Sequence, residues 1–148
     1  MDDKTTATSD LPIGAVGRCP ACGCVGPNPG YTSLSIQEIN ESMKEISKNW
    51  MLSDDNKKLH FKFTCKNWDT AIDYINQASK IAESEEIQHH PDLHLTRYRD
   101  IEVVLHTHSA QGLTNYDFKL AKALDKININ FSPKFLRSNP HIEINNND

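Results

Sequence analysis

The sequence predicts an α+β fold: a four-stranded antiparallel sheet with three helices packed on one face. Residues 59–63 and 93–96 alternate apolar with polar side chains, and in 101–106 Ile101, Val103 and Leu105 alternate with Glu102, Val104 and His106, the pattern of strands buried on one side. Three other stretches repeat apolar residues at helical spacing, and two of them open on capping signatures. The resulting order is helix, strand, strand, helix, strand, strand, helix. Hairpins separated by single helices place the helices on one side of an antiparallel sheet.

The composition bounds where such a domain lies and what it can do. The chain has 148 residues, 37% of them hydrophobic and 24% charged, with a net charge of −4. This balance lacks the basic footprint of a nucleic-acid binder. No apolar run approaches the roughly 18 residues of a membrane span, and Met1–Thr6 has neither the basic lead nor the apolar stretch of a secretory signal. A cytoplasmic protein with no direct nucleic-acid or membrane partner is therefore expected. Residues 1–33 are rich in Thr, Ser, Gly and Pro and read as a flexible N-terminal extension. Residues 34–128 form the expected compact domain, and 129–148 an asparagine-rich C-terminal tail. The extension holds a knuckle, Cys19-Pro20-Ala21-Cys22-Gly23-Cys24, while Cys65 stands alone. A closed zinc site needs four ligands, and no second C-x-x-C follows. Reduced thiols and no metal are the expectation.

Ser35-Ile36-Gln37-Glu38 is a capping box, with Leu34 and Ile39 at the positions of a hydrophobic staple. Ile36, Ile39, Met43 and Ile46 then extend a helix over about 35–47. Leu59–Phe63 is a strand paired with Trp50-Met51-Leu52 across the turn-forming Ser53-Asp54-Asp55-Asn56. A second helix is expected from about Asn67 to Ile87. Trp68, Ala71, Ile72, Ile75, Ala78 and Ala82 form its buried stripe, and Asp73, Lys80 and Glu83 face water. Pro91 ends any continuation, so His89 and His90 sit just past a helix C-terminus.

A hairpin follows. If its apolar sets share one face, Leu95 lies opposite Val103 and Leu93 opposite Leu105, with Tyr98-Arg99-Asp100 as a three-residue loop. This register puts His108 opposite His90, with Cβ atoms about 5 Å apart. The last helix opens at Thr114 as N-cap with Asp117 at N3. Leu113 and Phe118 staple it, and Phe118, Ala121, Leu124 and Ile127 carry its stripe to about 127.

Seven histidines are present, and this register brings together His89, His90 and His108. Histidine titrates near neutrality, so a cluster can hold one ring protonated and another neutral, supplying a general acid and a general base. Such a pair suits proton-coupled elimination, in which a leaving oxygen gains a proton and a neighbouring N–H loses one. The residues leave alternatives open. His-His-Pro can be no more than a helix stop. His106 and His108 with His90 can bind zinc, although no acidic or cysteine ligand is obviously placed to complete that site. Asp117 is first a capping residue with an added role in orienting a histidine, and Glu85 is by default a solvated helix carboxylate.

Glu85-Glu86-Ile87-Gln88-His89-His90-Pro91-Asp92-Leu93, then Thr107-His108-Ser109-Ala110-Gln111-Gly112-Leu113-Thr114 and Asp117, together resemble the pterin-4a-carbinolamine dehydratases. The Asp-Leu-His-Leu run after the proline is similar to the branch found in plants and some protists. The resemblance spans about 34–127 and implies removal of water from 4a-hydroxytetrahydrobiopterin, the hydroxylated pterin left by aromatic amino acid hydroxylases. The product is quinonoid dihydropterin, and no cofactor is used. It implies His89, His90 and His108 as catalytic residues. It also implies pterin contacts from His89 to Pro91 and from Thr107, His108, Ser109 and Ala110, with Glu85 and Asp117 in support. Leu93 stands where many relatives carry an aromatic residue. The family further implies a homodimer or homotetramer. A transcription-factor partner known for animal relatives finds no support in these residues.

Overall fold

The computed structural model describes residues 32–145 of the chain. The cysteine knuckle at Cys19, Cys22 and Cys24, with nearly all of the expected extension, lies outside the described residues. Ser35 caps helix α1 (Ile36–Met43) through the reciprocal Ser35–Glu38 capping box that the sequence predicts. The helix ends a turn earlier than Ile46 suggests. Lys44 and Glu45 bond three residues back, and Asp125 then captures both the backbone N–H and the hydroxyl of Ser47. Ile46 stays buried without being helical.

Strands β1 (Met51–Leu52) and β2 (Leu59–Thr64) pair as predicted, with Leu59, Phe61 and Phe63 turned inward. Helix α2 (Trp68–Glu83) opens on a second reciprocal cap, between Asn67 and Thr70. Its buried residues are Ala71, Tyr74, Ala78 and Ala82, whereas Trp68 in the first turn is exposed. The helix stops at Glu83, not near Ile87. The Ser84 hydroxyl donates to the carbonyl of Ile81, and Gln88 enters the left-handed region at φ 47. His89 and His90 thus lie beyond a separate turn, with the His89 N–H still bonded to the carbonyl of Ala82 in the last turn of α2.

Strands β3 (Asp92–Thr96) and β4 (Asp100–Leu105) form the second hairpin, and the sheet order is β1-β2-β4-β3 throughout antiparallel. The register differs from the predicted one by two residues. Leu93 faces Val103, Leu95 faces Ile101, and the loop is Arg97-Tyr98-Arg99. The cause lies on β2. Thr64 pairs with Asp100 and donates its hydroxyl to the Asp100 carboxylate at 2.8 Å, while Cys65 N–H bonds the carbonyl of Arg99. These contacts draw Asp100 into the strand. A slip of two preserves the faces, so the core is unaffected, but His108 no longer stands opposite His90. It instead opens a 3₁₀ turn, His108–Ala110.

Helix α3 (Asn115–Leu124) begins at Thr114 as predicted, with Leu113 and Phe118 both buried. Its Phe118, Leu120, Ala121 and Leu124 join α2 and the inward residues of β2 and β4 in one core. The α+β class holds, with four helices among the described residues in place of three. Ser132 caps α4 (Pro133–Ser138), and the preceding residues run back along the end of β2. Ser132 N–H bonds Thr64 O, Lys66 N–H bonds Asn130 O, and Phe131 packs on Phe63 over buried Cys65. No helix among the described residues is long and apolar enough to cross a membrane.

Candidate active site

Asp117 is the buried hub. As the N3 residue of α3, it accepts the backbone N–H of Thr114 at Oδ2, 3.0 Å away. The same oxygen accepts the Thr107 hydroxyl at 2.8 Å, and Oδ1 meets His89 Nε2 at 2.6 Å. A carboxylate can only accept, so the donor directions follow. Thr107 spends its proton on Asp117, so the Thr114 hydroxyl, 2.8 Å from Thr107, donates to Thr107 and itself receives the Tyr116 N–H. The His89 ring carries its proton on Nε2. His89, Thr107 and Asp117 are fully buried, and the Tyr116 ring lies beside His89 at 6.1 Å. The remote stretches around His89 and His108 therefore meet through one carboxylate, which takes His89 on one oxygen and the neighbour of His108 on the other.

The loop that carries His108 is closed at its neck. Thr107 and Gly112 exchange backbone hydrogen bonds, with Gln111 left-handed at φ 55 between them. A Cβ on Gly112 would lie 3.0 Å from Cβ of Ser33, so glycine lets the segment before α1 close over this neck. Within the loop, Ser109 Oγ is buried without a hydrogen-bond partner among the described residues, and Ala110 is half-buried.

The other predicted positions are placed as follows. His108 is exposed, its ring edge-on to His106 at 4.1 Å between centroids. His90 does not join Asp117. Its Nε2 lies 2.8 Å from the carboxylate of Glu83 in the last turn of α2. Pro91 is half-buried and Glu85 is exposed. Two acidic neighbours escaped the sequence reading. Glu83 becomes visible only once the helix is known to end there. Asp92, whose Oδ2 lies 3.1 Å from His106 Nε2, follows from strand alternation once the hairpin register is right. Asp92, His106 and His108 bring their ligand atoms within 4.8 Å of one another, the one described group able to hold a metal ion.

Comparison with known proteins gives a consistent result. Residues 32–127 match the family model described as pterin 4 alpha carbinolamine dehydratase. A putative pterin-4-alpha-carbinolamine dehydratase of Trichodesmium erythraeum is 40% identical over 91 residues, covering 62% of this chain and 91% of the relative. A mitochondrial pterin-4-alpha-carbinolamine dehydratase 2 of Arabidopsis thaliana is 31% identical over 108 residues, 72% of this chain and 57% of that protein. The solved structure of a transcriptional coactivator/pterin dehydratase from Brucella melitensis superposes with a TM-score of 0.55 at 30% identity, covering 63% of this chain and 95% of its own. With the matched segment taking in both histidine stretches and the carboxylate that joins them, the chain belongs to the pterin 4 alpha carbinolamine dehydratase family.

Proposed function

We propose that the protein dehydrates 4a-hydroxytetrahydrobiopterin to the quinonoid dihydropterin by histidine acid–base chemistry, and thereby recycles the pterin used by aromatic amino acid hydroxylases. The observation that carries this reading is the buried Asp117 carboxylate, which joins His89 to the Thr107–His108 segment. The reaction breaks the C4a–O bond. The 4a-hydroxyl takes up a proton and leaves as water, N5 gives up its hydrogen, and the electron pair of that N–H becomes the new C4a=N5 double bond. The sum is loss of one water, with no oxidant or reductant.

Two groups must therefore exchange protons on opposite sides of one bond. His89 donates Nε2–H to Asp117, which fixes its tautomer and holds its ring at a set angle. His108 is exposed and can reach a ligand from the loop side. His90, paired with Glu83, takes part in binding and in the proton inventory. Ser109 Oγ, buried and without a partner among the described residues, is a ready hydrogen-bonding group for a ring rich in N–H and C=O. Pro91, Thr107 and Ala110 complete the cradle, with Glu85 at its rim. Copies of the chain pairing into a homodimer or homotetramer would cover the edges that β1 and β3 leave open.

The test is dehydration of synthetic 4a-carbinolamine by wild type beside His89→Ala and His108→Ala. Each variant should lose on the order of 100-fold in rate or more with its circular dichroism unchanged. Unchanged rates in both would overturn the assignment. Likeness to the transcriptional coactivator/pterin dehydratase of Brucella melitensis supports a second reading, as a protein-binding module. Affinity capture that returned a transcription factor from a protein without turnover would favour it.

A further inference from the structure

We infer that Asp92, His106 and His108 form a three-ligand site for a divalent transition-metal ion, and that occupancy withdraws His108 from the pterin reaction. The sequence groups His90 with His106 and His108; in the structure His90 pairs with Glu83 and Asp92 takes its place. In the observed register Asp92 pairs with Val104. Strand alternation then puts the side chain two residues further along, His106, on the same face as Asp92. The result is Asp92 Oδ2 at 3.1 Å from His106 Nε2. Two ligands at the bond lengths of zinc and at a tetrahedral angle lie about 3.3 Å apart, so this pair already has the spacing of a metal edge. The His108 ring stands against His106, and all three ligand atoms lie within 4.8 Å of one another. His108 is exposed and begins a 3₁₀ turn, so rotation of its side chain closes the remaining gap.

The donor set selects the ion. Two imidazoles and one carboxylate suit zinc and its neighbours among the transition metals, whereas magnesium and calcium take all-oxygen sites. Three protein ligands also leave a coordination position for water. The Asp92 side chain is 52% exposed, so an ion has a path from solvent. An imidazole whose lone pair is on a metal cannot accept a proton through that nitrogen. Inhibition by this route rests on the proposed role of His108, but binding of the ion does not.

The experiment uses the untagged full-length protein and Zn²⁺ alone. Calorimetric titration of wild type, Asp92→Asn and His106→Asn should show one equivalent lost in both variants, or its affinity weakened by at least about 100-fold, beyond the cost of losing an outer-shell partner. Cys19, Cys22 and Cys24 are common to all three proteins and drop out of the difference. Without metal, His106→Asn should dehydrate carbinolamine within about twofold of wild type. With Zn²⁺ at saturation, wild type should slow at least about tenfold and His106→Asn should not. Equal stoichiometry and affinity in all three proteins would overturn the site. A site lost in both variants but without inhibition of an active wild type would overturn the withdrawal of His108. If no protein turned over carbinolamine, the dehydratase reading would fail while calorimetry still decided the metal site.

Discussion

At the level of single residues, Asp117 does two things with one carboxylate. It caps α3 and it fixes the His89 ring. The first role was legible, because Thr114-x-x-Asp117 is a start signal; the second was only half so, because nothing local ties residue 117 to residue 89. Asp117→Asn separates the two. The amide oxygen can still accept from Thr114 or Thr107, but His89 loses a charged acceptor that sets its tautomer. The rate of carbinolamine dehydration should fall about 10–100-fold, with KM changed less than kcat, and steady-state kinetics would check this. A raised KM with kcat unchanged would mean that Asp117 serves binding alone. Cys65 gives a prediction of a different kind. Burial, with the Asp100 carboxylate adding, pushes its thiol up to about 11 from an ordinary 9.0. The folded state holds this proton more tightly than the unfolded chain does. Its contribution to stability is therefore complete below about pH 9 and is lost as the pH rises toward 11. Urea midpoints measured between those values should decline less steeply in Cys65→Ala than in wild type.

Among the elements, what could be read depended on how local the signal was. Both caps predicted for α1 and α3 hold because a cap involves residues three apart. The end of α2 differs from the expected one because the Ser84 bond to Ile81 O and the left-handed Gln88 leave no mark on apolar periodicity, and the register of the β3–β4 hairpin differs because a distant partner decides it. Periodicity fixes which face a strand buries but is silent about slips of two, and Thr64 on β2 settles the matter by recruiting Asp100. The observed loop places Arg97 and Tyr98 in the left-handed region, at φ 50 and 58. Neither residue is at ease there, whereas Asn-Gly is the preferred pair for such a turn. The double change Arg97→Asn and Tyr98→Gly should raise stability by about 0.5–1 kcal/mol, seen as a higher denaturant midpoint. Had the loop been 98–100, Arg97 would sit in a ladder and the same change would lower it.

Over the whole molecule, the segment after residue 128 is structural, although the family match ends at 127. Asparagine-rich composition hid this, yet Ser132-Pro133 is a helix start in miniature, with proline at the first helical position. Phe131 packs edge-on to Phe63 and stacks on Phe135, and its backbone bridges to Cys65. Phe131→Ala should cost about 3–5 kcal/mol in chemical denaturation, and should make Cys65, inert in the native protein, open to alkylation. Stability unchanged by this substitution would show that the domain is complete without the segment.

The shared carboxylate also has a consequence for heating. Helix ends open before helices melt, and the first turn of α3 cannot open without releasing the acid that steadies His89. Warming should therefore silence the enzyme some degrees before the chain comes apart, and cooling should restore it.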